Sequence, residues 1–177
     1  MHIMVDIETM GNGPDAPILS IGAVAFDGNG ISDEFYTTCN FQSAVDSGAV
    51  IDPSTVMWWL RQDAIARDAL SDCQDSAISL TVALRSFVTF VNSRSPMLRG
   101  VWGNGATFDN VIIHQSCKRL GLEAWPFWLD KCYRTVKGAY PSIKMERVGT
   151  HHNALSDAKS QALHLIEIDR AASGVFL

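Results

Sequence analysis

The chain is short of positive charge: 14 Lys and Arg stand against 19 Asp and Glu in 177 residues, a formal net charge of −5. A protein so acidic does not hold nucleic acid by bulk electrostatics, so any such role needs a local basic patch or bound cations. No run approaches the ~18 uninterrupted apolar residues of a membrane span, so no membrane partner is expected. No basic, apolar and small-residue leader opens the chain, and the expected location is cytoplasmic. Cysteines are few (Cys39, Cys73, Cys117 and Cys132), with no C-x-x-C pair and no His at zinc-finger spacing. That pattern argues for reduced thiols and for oxygen ligands at any metal site. Repeats, linkers and low-complexity runs are missing too. One domain over residues 1–177 is expected, and 47% hydrophobic residues suffice for its core.

What is there reads as a mixed α/β fold. Ile3 to Ile7 is a short buried strand, Ile18 to Phe26 a second, and Ile31 to Thr38 a third. Asp27-Gly28-Asn29-Gly30 is the hairpin turn between the last two. A helix starts at Asp52-Pro53-Ser54, and a second runs from Ser76 to Val91 with Leu80, Leu84, Phe87 and Val91 on one face. Leu98 to Gly103 reads as a fourth strand. Thr107 is an N-cap for a helix ending at Gly121, Phe127 to Cys132 is a fifth strand, and a last helix spans Asn153 or Ala154 to about Ala172. The order describes three antiparallel strands, then two parallel ones, flanked by helices.

Four acidic residues stand where a core-forming sequence would not place them. Asp6 and Glu8 close the first strand, and period-two geometry puts both on one face. Asp109 opens the helix after the fourth strand, and Asp157 lies early in the last helix, five residues after His152. Half-buried carboxylates on one face repel each other and resist desolvation. Two hard divalent cations, Mg²⁺ or Mn²⁺, resolve that conflict and suit phosphoryl transfer. A nearby His can take a proton from the attacking water. Each motif alone is weak, since D-x-E and H-x-x-x-x-D both arise by chance and Asp109 suits any helix N-terminus. Their order along the chain makes the combination strong.

Asp6-Ile7-Glu8-Thr9, Phe108-Asp109 and His152 through Asp157 resemble the three exonuclease motifs of the DEDD superfamily in its DEDDh branch, over nearly the whole chain. Asp6 to Phe26, Trp102 to Ile113 and the run from Arg147 to Ala154 are most similar to a narrower subgroup. It contains phage and prophage 3′–5′ exodeoxyribonucleases and the mycobacterial adenylate-specific ribonuclease. The resemblance implies a ribonuclease-H-like fold and two-metal removal of nucleotides from a 3′ end. By motif position it implies Asp6, Glu8, Asp109 and Asp157 as metal ligands and His152 as general base. His151 competes for that role, but His152 fits the motif spacing.

Around these, Thr9, Met10 and Gly11 would line the groove for the terminal nucleotide, with Met10 either on the base or filling the core. Asn104 is a substrate hydrogen-bonder or a polar turn residue. Phe108 stacks on a base or packs inside. One of the adjacent Trp58 and Trp59 must face away from the core, toward substrate or a second subunit; the resemblance adds to the case for a homodimer. Lys118, Arg119, Lys131, Arg134, Lys137, Lys144 and Arg147 form either a solvated surface or a phosphate track. Asp130 reads as structural. The expected activity is metal-dependent 3′–5′ exonuclease action on single-stranded 3′ ends, DNA before RNA. The rivals are an exoribonuclease, a polymerase proofreading subunit, a non-catalytic nucleic-acid-binding module and a phosphoesterase of small nucleotides.

Overall fold

A computed structural model of the chain describes residues 1–72, 74–150 and 152–177. Cys73 and His151 therefore lie outside the described residues. Strands β1 (His2–Thr9), β2 (Ile18–Asp27) and β3 (Gly30–Thr38) form an antiparallel meander. The Asp27 carboxylate accepts the Asn29 backbone N–H at 2.8 Å, closing the hairpin turn. Helices α1 (Phe41–Asp46), α2 (Pro53–Trp59), α3 (Ala64–Asp72) and α4 (Leu80–Asn92) follow. Then come β4 (Val101–Gly103), α5 (Asp109–Arg119), a 3₁₀ turn (Phe127–Leu129), β5 (Asp130–Cys132), α6 (Tyr133–Ala139) and α7 (Ala154–Ala171).

The sheet order is β3-β2-β1-β4-β5, with β4 parallel to β1 and β5 parallel to β4. This is the expected mixed sheet flanked by helices. Ile3, Val5 and Ile7 point into one core with Leu84, Phe87, Ile112 and Ile113 from α4 and α5. Met4 points into the opposite core with Trp102, Ala158 and Leu165, under α7. Strand alternation then sends Asp6 and Glu8 to the α7 face. Among the described residues no helix is long and apolar enough to cross a membrane.

Several boundaries differ from the expected ones. The helix expected from Ser76 begins at Leu80, because Ile78 bridges to Cys39 and the Ser79 side chain caps the first turn. Phe108, not Thr107, is the N-cap of α5, with no side-chain cap bond. Phe127 to Leu129 forms a 3₁₀ turn after Pro126, so the fifth strand shortens to three residues. The strand expected from Leu98 likewise starts only at Val101, where pairing to Ile3 begins.

Candidate active site

Three chain ends meet at the edge of the α7 face: the end of β1, the start of α5 and the start of α7. Their approach depends on two glycines. Gly22 pairs with Asp6 across the β1–β2 ladder, and a Cβ there would lie 2.2 Å from Ala154 backbone. Gly103 ends β4 where a Cβ would come 2.4 Å from Asn110 Oδ1 and 2.9 Å from Asp109 Oδ2. Both positions must lack a side chain for the helix starts to reach the sheet.

The α7 start is built locally. The Asn153 side chain accepts the Ser156 N–H at 3.1 Å, and His152 sits in the left-handed region at φ 59. That conformation is uncommon for a non-glycine residue and costs on the order of 1 kcal/mol. It turns the His152 backbone N–H onto Asp157 Oδ2 at 3.1 Å. Arg147 donates to the other oxygen, Oδ1, at 2.7 Å. Glu8, His152 and Asp157 offer ligand atoms that all lie within 4.8 Å of one another.

Asp6 and Asp109 complete the charge cluster without joining that closest triangle. Burial pushes the Asp6 carboxyl well above its usual range, and the charges of Asp109, Glu8 and Asp157 push it further. A hydrogen bond from Gln161 Nε2 to Asp6 Oδ1, 2.8 Å, pulls the other way. Burial, then Asp157 and Asp109, raise Glu8 to about 8. Burial raises Asp109 to about 7 against backbone hydrogen bonding from Ile7, Asp109 itself and Asn104. Asp109 is buried, and among the described residues its Oδ2 has no hydrogen-bond partner. Adjacent, desolvated carboxyl groups with an orphaned oxygen fit divalent metal ions, which would neutralise them together. The donors are all oxygen apart from the His152 imidazole, the chemistry of a hard cation.

Two clefts share Glu8. The polar one, ≈230 Å³, is lined by Asp6, Asn104, Lys137, Arg147 and His152 among others. The aromatic one, ≈370 Å³, is lined by Thr9, Asn12, Thr55, Trp58 and Phe108 among others. Thr9, Asn104 and Phe108 are thus beside the carboxylates. Met10 lines a third, apolar cleft with Leu19, Phe41 and Val56, which shares Trp59 with the aromatic one.

The two tryptophans divide as their adjacency requires. Trp59 is buried and donates through Nε1 to the Thr9 carbonyl at 3.0 Å, whereas Trp58 is 43% exposed. Both meet the His152 ring edge-on, at 5.1 Å for Trp58 and 5.8 Å for Trp59. The basic run splits as well. Lys137 and Arg147 line the polar cleft, and Arg134 donates to the Asn104 carbonyl at 2.6 Å. Arg119 pairs with Asp15 and Lys144 bonds the Pro141 carbonyl. Asp130 is engaged structurally by Trp125, Asn110 and His114.

Gln161 escaped the sequence reading. Its signal is its place one helical turn after Asp157, on the same face of α7. The ring packing of Trp58 on His152 had no sequence signal, since 94 positions separate the two residues.

The family model for the 3′-5′ exoribonuclease Rv2179c-like domain matches residues 1–168. The exodeoxyribonuclease of Enterobacteria phage T4 is 27% identical over 161 residues, covering 75% of this chain and 68% of that relative. Among solved structures, the nuclease domain of 3′hExo, a DEDDh family member bound to rAMP, superposes with a TM-score of 0.67 at 14% identity, covering 98% of this chain and 93% of that one. Exonuclease X in complex with 5′ overhanging duplex DNA gives 0.60 at 17% identity, with 98% and 93% covered. Exonuclease I of E. coli in complex with a dA16 oligonucleotide gives 0.66 at 11% identity, covering 96% of this chain and 40% of that one. Identities this low establish the shared ribonuclease-H-like fold.

Proposed function

The chain belongs to the Rv2179c-like 3′-5′ exoribonuclease domain family and is a DEDDh-type 3′–5′ exonuclease, and from that premise we propose a two-metal phosphodiesterase that trims single-stranded 3′ ends. The observation that carries the mechanism is the convergence of Glu8, His152 and Asp157 ligand atoms within 4.8 Å, beside the half-buried Asp6 and the buried Asp109.

In this reading Asp6, Glu8, Asp109 and Asp157 would hold two Mg²⁺ or Mn²⁺ ions. When bound, such ions supply charge stabilisation to the attacking and leaving oxygens of a phosphoryl transfer. An imidazole nitrogen of His152 takes the proton from the attacking water, and the ring is held for this by Trp58 and Trp59. The water oxygen bonds to phosphorus, the P–O3′ bond breaks and O3′ takes a proton from solvent, so the shortened strand leaves with a 3′-hydroxyl while the terminal nucleotide leaves as a 5′-monophosphate. The aromatic cleft beside Glu8 offers Trp58 and Phe108 to the terminal base, and Thr9 to its sugar. Asn104, Lys137 and Arg147 face the strand's phosphates across the polar cleft.

DNA is the preferred substrate in this reading, supported by the phage T4 relative named as an exodeoxyribonuclease. The family's own description favours RNA as the second reading. We also propose a homodimer, in which the exposed Trp58 would meet the second subunit; sedimentation velocity checks it. The deciding experiment incubates 5′-labelled single-stranded DNA and RNA of matched sequence with Mg²⁺ or Mn²⁺, with Asp157→Ala as control. A ladder shortening from the 3′ end, lost in the control, supports the mechanism, and the faster strand identifies the sugar. A ladder that persists in Asp157→Ala removes the two-metal assignment.

A further inference from the structure

Both Asp157 oxygens are engaged, one by the His152 amide at 3.1 Å and one by Arg147 Nη1 at 2.7 Å. Each oxygen keeps a further lone pair, but a metal ion held by this carboxylate would lie close to the guanidinium and repel it. The amide is fixed by the start of α7. The guanidinium is not: its side chain is half exposed and ends a long stem on the segment joining α6 to α7. The backbone of that segment is tied down on both sides of Arg147. Val148 N–H donates to Ser160 Oγ at 2.9 Å, and His164 Nε2 bonds the Ile143 carbonyl at 2.9 Å while Nδ1 meets the Tyr133 hydroxyl at 2.6 Å. The chain thus anchors the base of Arg147 and leaves its charged end movable. Lys137 lines the same cleft, but its ammonium lies over the Tyr133 ring at 5.5 Å and makes no carboxylate ion pair among the described residues.

We propose that Arg147 is the exchangeable counter-ion of Asp157: it neutralises the carboxylate until a divalent metal takes its place, and its guanidinium then turns to the phosphates of the bound strand. A guanidinium and a metal ion repel each other, so metal binding loosens the ion pair, and the released fork matches phosphate oxygens. The inference rests on the metal-binding part of the function proposed above.

The test titrates Mn²⁺ calorimetrically into the full chain as wild type, Arg147→Gln and Lys137→Gln, after melting curves confirm that each is folded. Loss of the competing partner should tighten Mn²⁺ binding about fivefold in Arg147→Gln. Lys137→Gln, which removes the same charge from the same cleft without breaking a pair, should gain less than half of that. Equal gains, or none in Arg147→Gln, overturn the exchange. Anisotropy of a single-stranded oligonucleotide with phosphorothioate 3′ linkages supplies the second readout. Without metal, wild type and Arg147→Gln should bind alike; with Mn²⁺ the variant should bind about fivefold more weakly, with a log K against log salt slope shallower by about 0.7. The same deficit with and without metal overturns the proposal. Absence of Mn²⁺ binding in the wild type overturns the two-metal reading itself, whereas normal binding with no gain in Arg147→Gln overturns only the counter-ion role.

Discussion

Gly22 and Ala154 meet backbone against backbone: a Cβ on Gly22 would lie 2.2 Å from the Ala154 carbonyl carbon. Because Gly22 is also the ladder partner of Asp6, this contact sets how closely the α7 carboxylate approaches the β1 carboxylates.

Gly22→Ala should force α7 away from the sheet, costing about 1–3 kcal/mol as an overpacked site does. It should also lower turnover by separating Asp157 from Asp6. Urea unfolding and a single-turnover assay check the two effects; an unaltered midpoint would mean that α7 shifts without cost.

Asp6→Asn should abolish hydrolysis and yet stabilise the metal-free protein. Asp6 lies among Asp109, Glu8 and Asp157, and removing its charge relieves that repulsion while Gln161 can still donate to the retained oxygen. A gain of about 1 kcal/mol would raise Tm by about 3 °C for a domain of this size. Melting in chelator at pH 8 measures it, and a lower Tm in the variant contradicts the electrostatic account.

The same carboxyls give the metal-free protein a defined pH dependence. Glu8 rises from 4.5 to about 8 and Asp109 from 3.8 to about 7 on folding, so between those values the folded chain binds more protons than the unfolded one. Their effect is therefore to lower stability as pH rises from about 4 through about 8. Saturating Mn²⁺ should remove most of that slope by replacing the protons as counter-charge. Chemical unfolding at pH 7 and 8.5, above the window in which the depressed His2 acts in the opposite sense, with metal and with chelator, tests the sign; a metal-free protein that gains stability over this range refutes it.

His152→Ala should lose most of its turnover while still binding Mn²⁺, because all four carboxylates remain. An unchanged rate would pass the base to His151. Trp58→Ala should lower kcat as well, since the indole, perpendicular to the imidazole with ring centroids 5.1 Å apart, helps to hold it. Trp58→Phe should restore part of that loss, and a Trp58→Ala effect confined to KM would assign the ring to substrate alone.

Gln161→Met should leave Asp6 without its 2.8 Å donor. The expected result is weaker metal binding or slower turnover with little change in KM, read by calorimetry and steady-state kinetics. Wild-type values for both would show that Asp6 needs no orientation.

Much of this architecture was legible because it rests on local rules. Alternation placed Ile3, Val5 and Ile7 in one core and Asp6 and Glu8 on the other face, and the Asp27 to Gly30 turn fixed the hairpin. The short helices α1, α3 and α6 were missed. Six to nine residues hold too few apolar repeats to show a helical period, although Asn40 does cap α1 by accepting the Ser43 N–H. For Met10 the sequence left two places open, on the base or filling the core, and the structure puts it in a cleft with Leu19, Phe41 and Val56.

By itself, the sequence determined the residue types and their order: four carboxylates and a histidine, each at the end of a strand or the start of a helix, with the motifs of an exonuclease family. Only the tertiary structure decided which side chains act on them. Gln161 on Asp6, Arg147 on Asp157 and Trp58 against His152 depend on how α7, its preceding segment and α2 pack at the end of β1. Period and capping follow from neighbours along the chain, whereas distances between segments come from packing around Gly22 and Gly103, where the absence of a side chain lets backbones close.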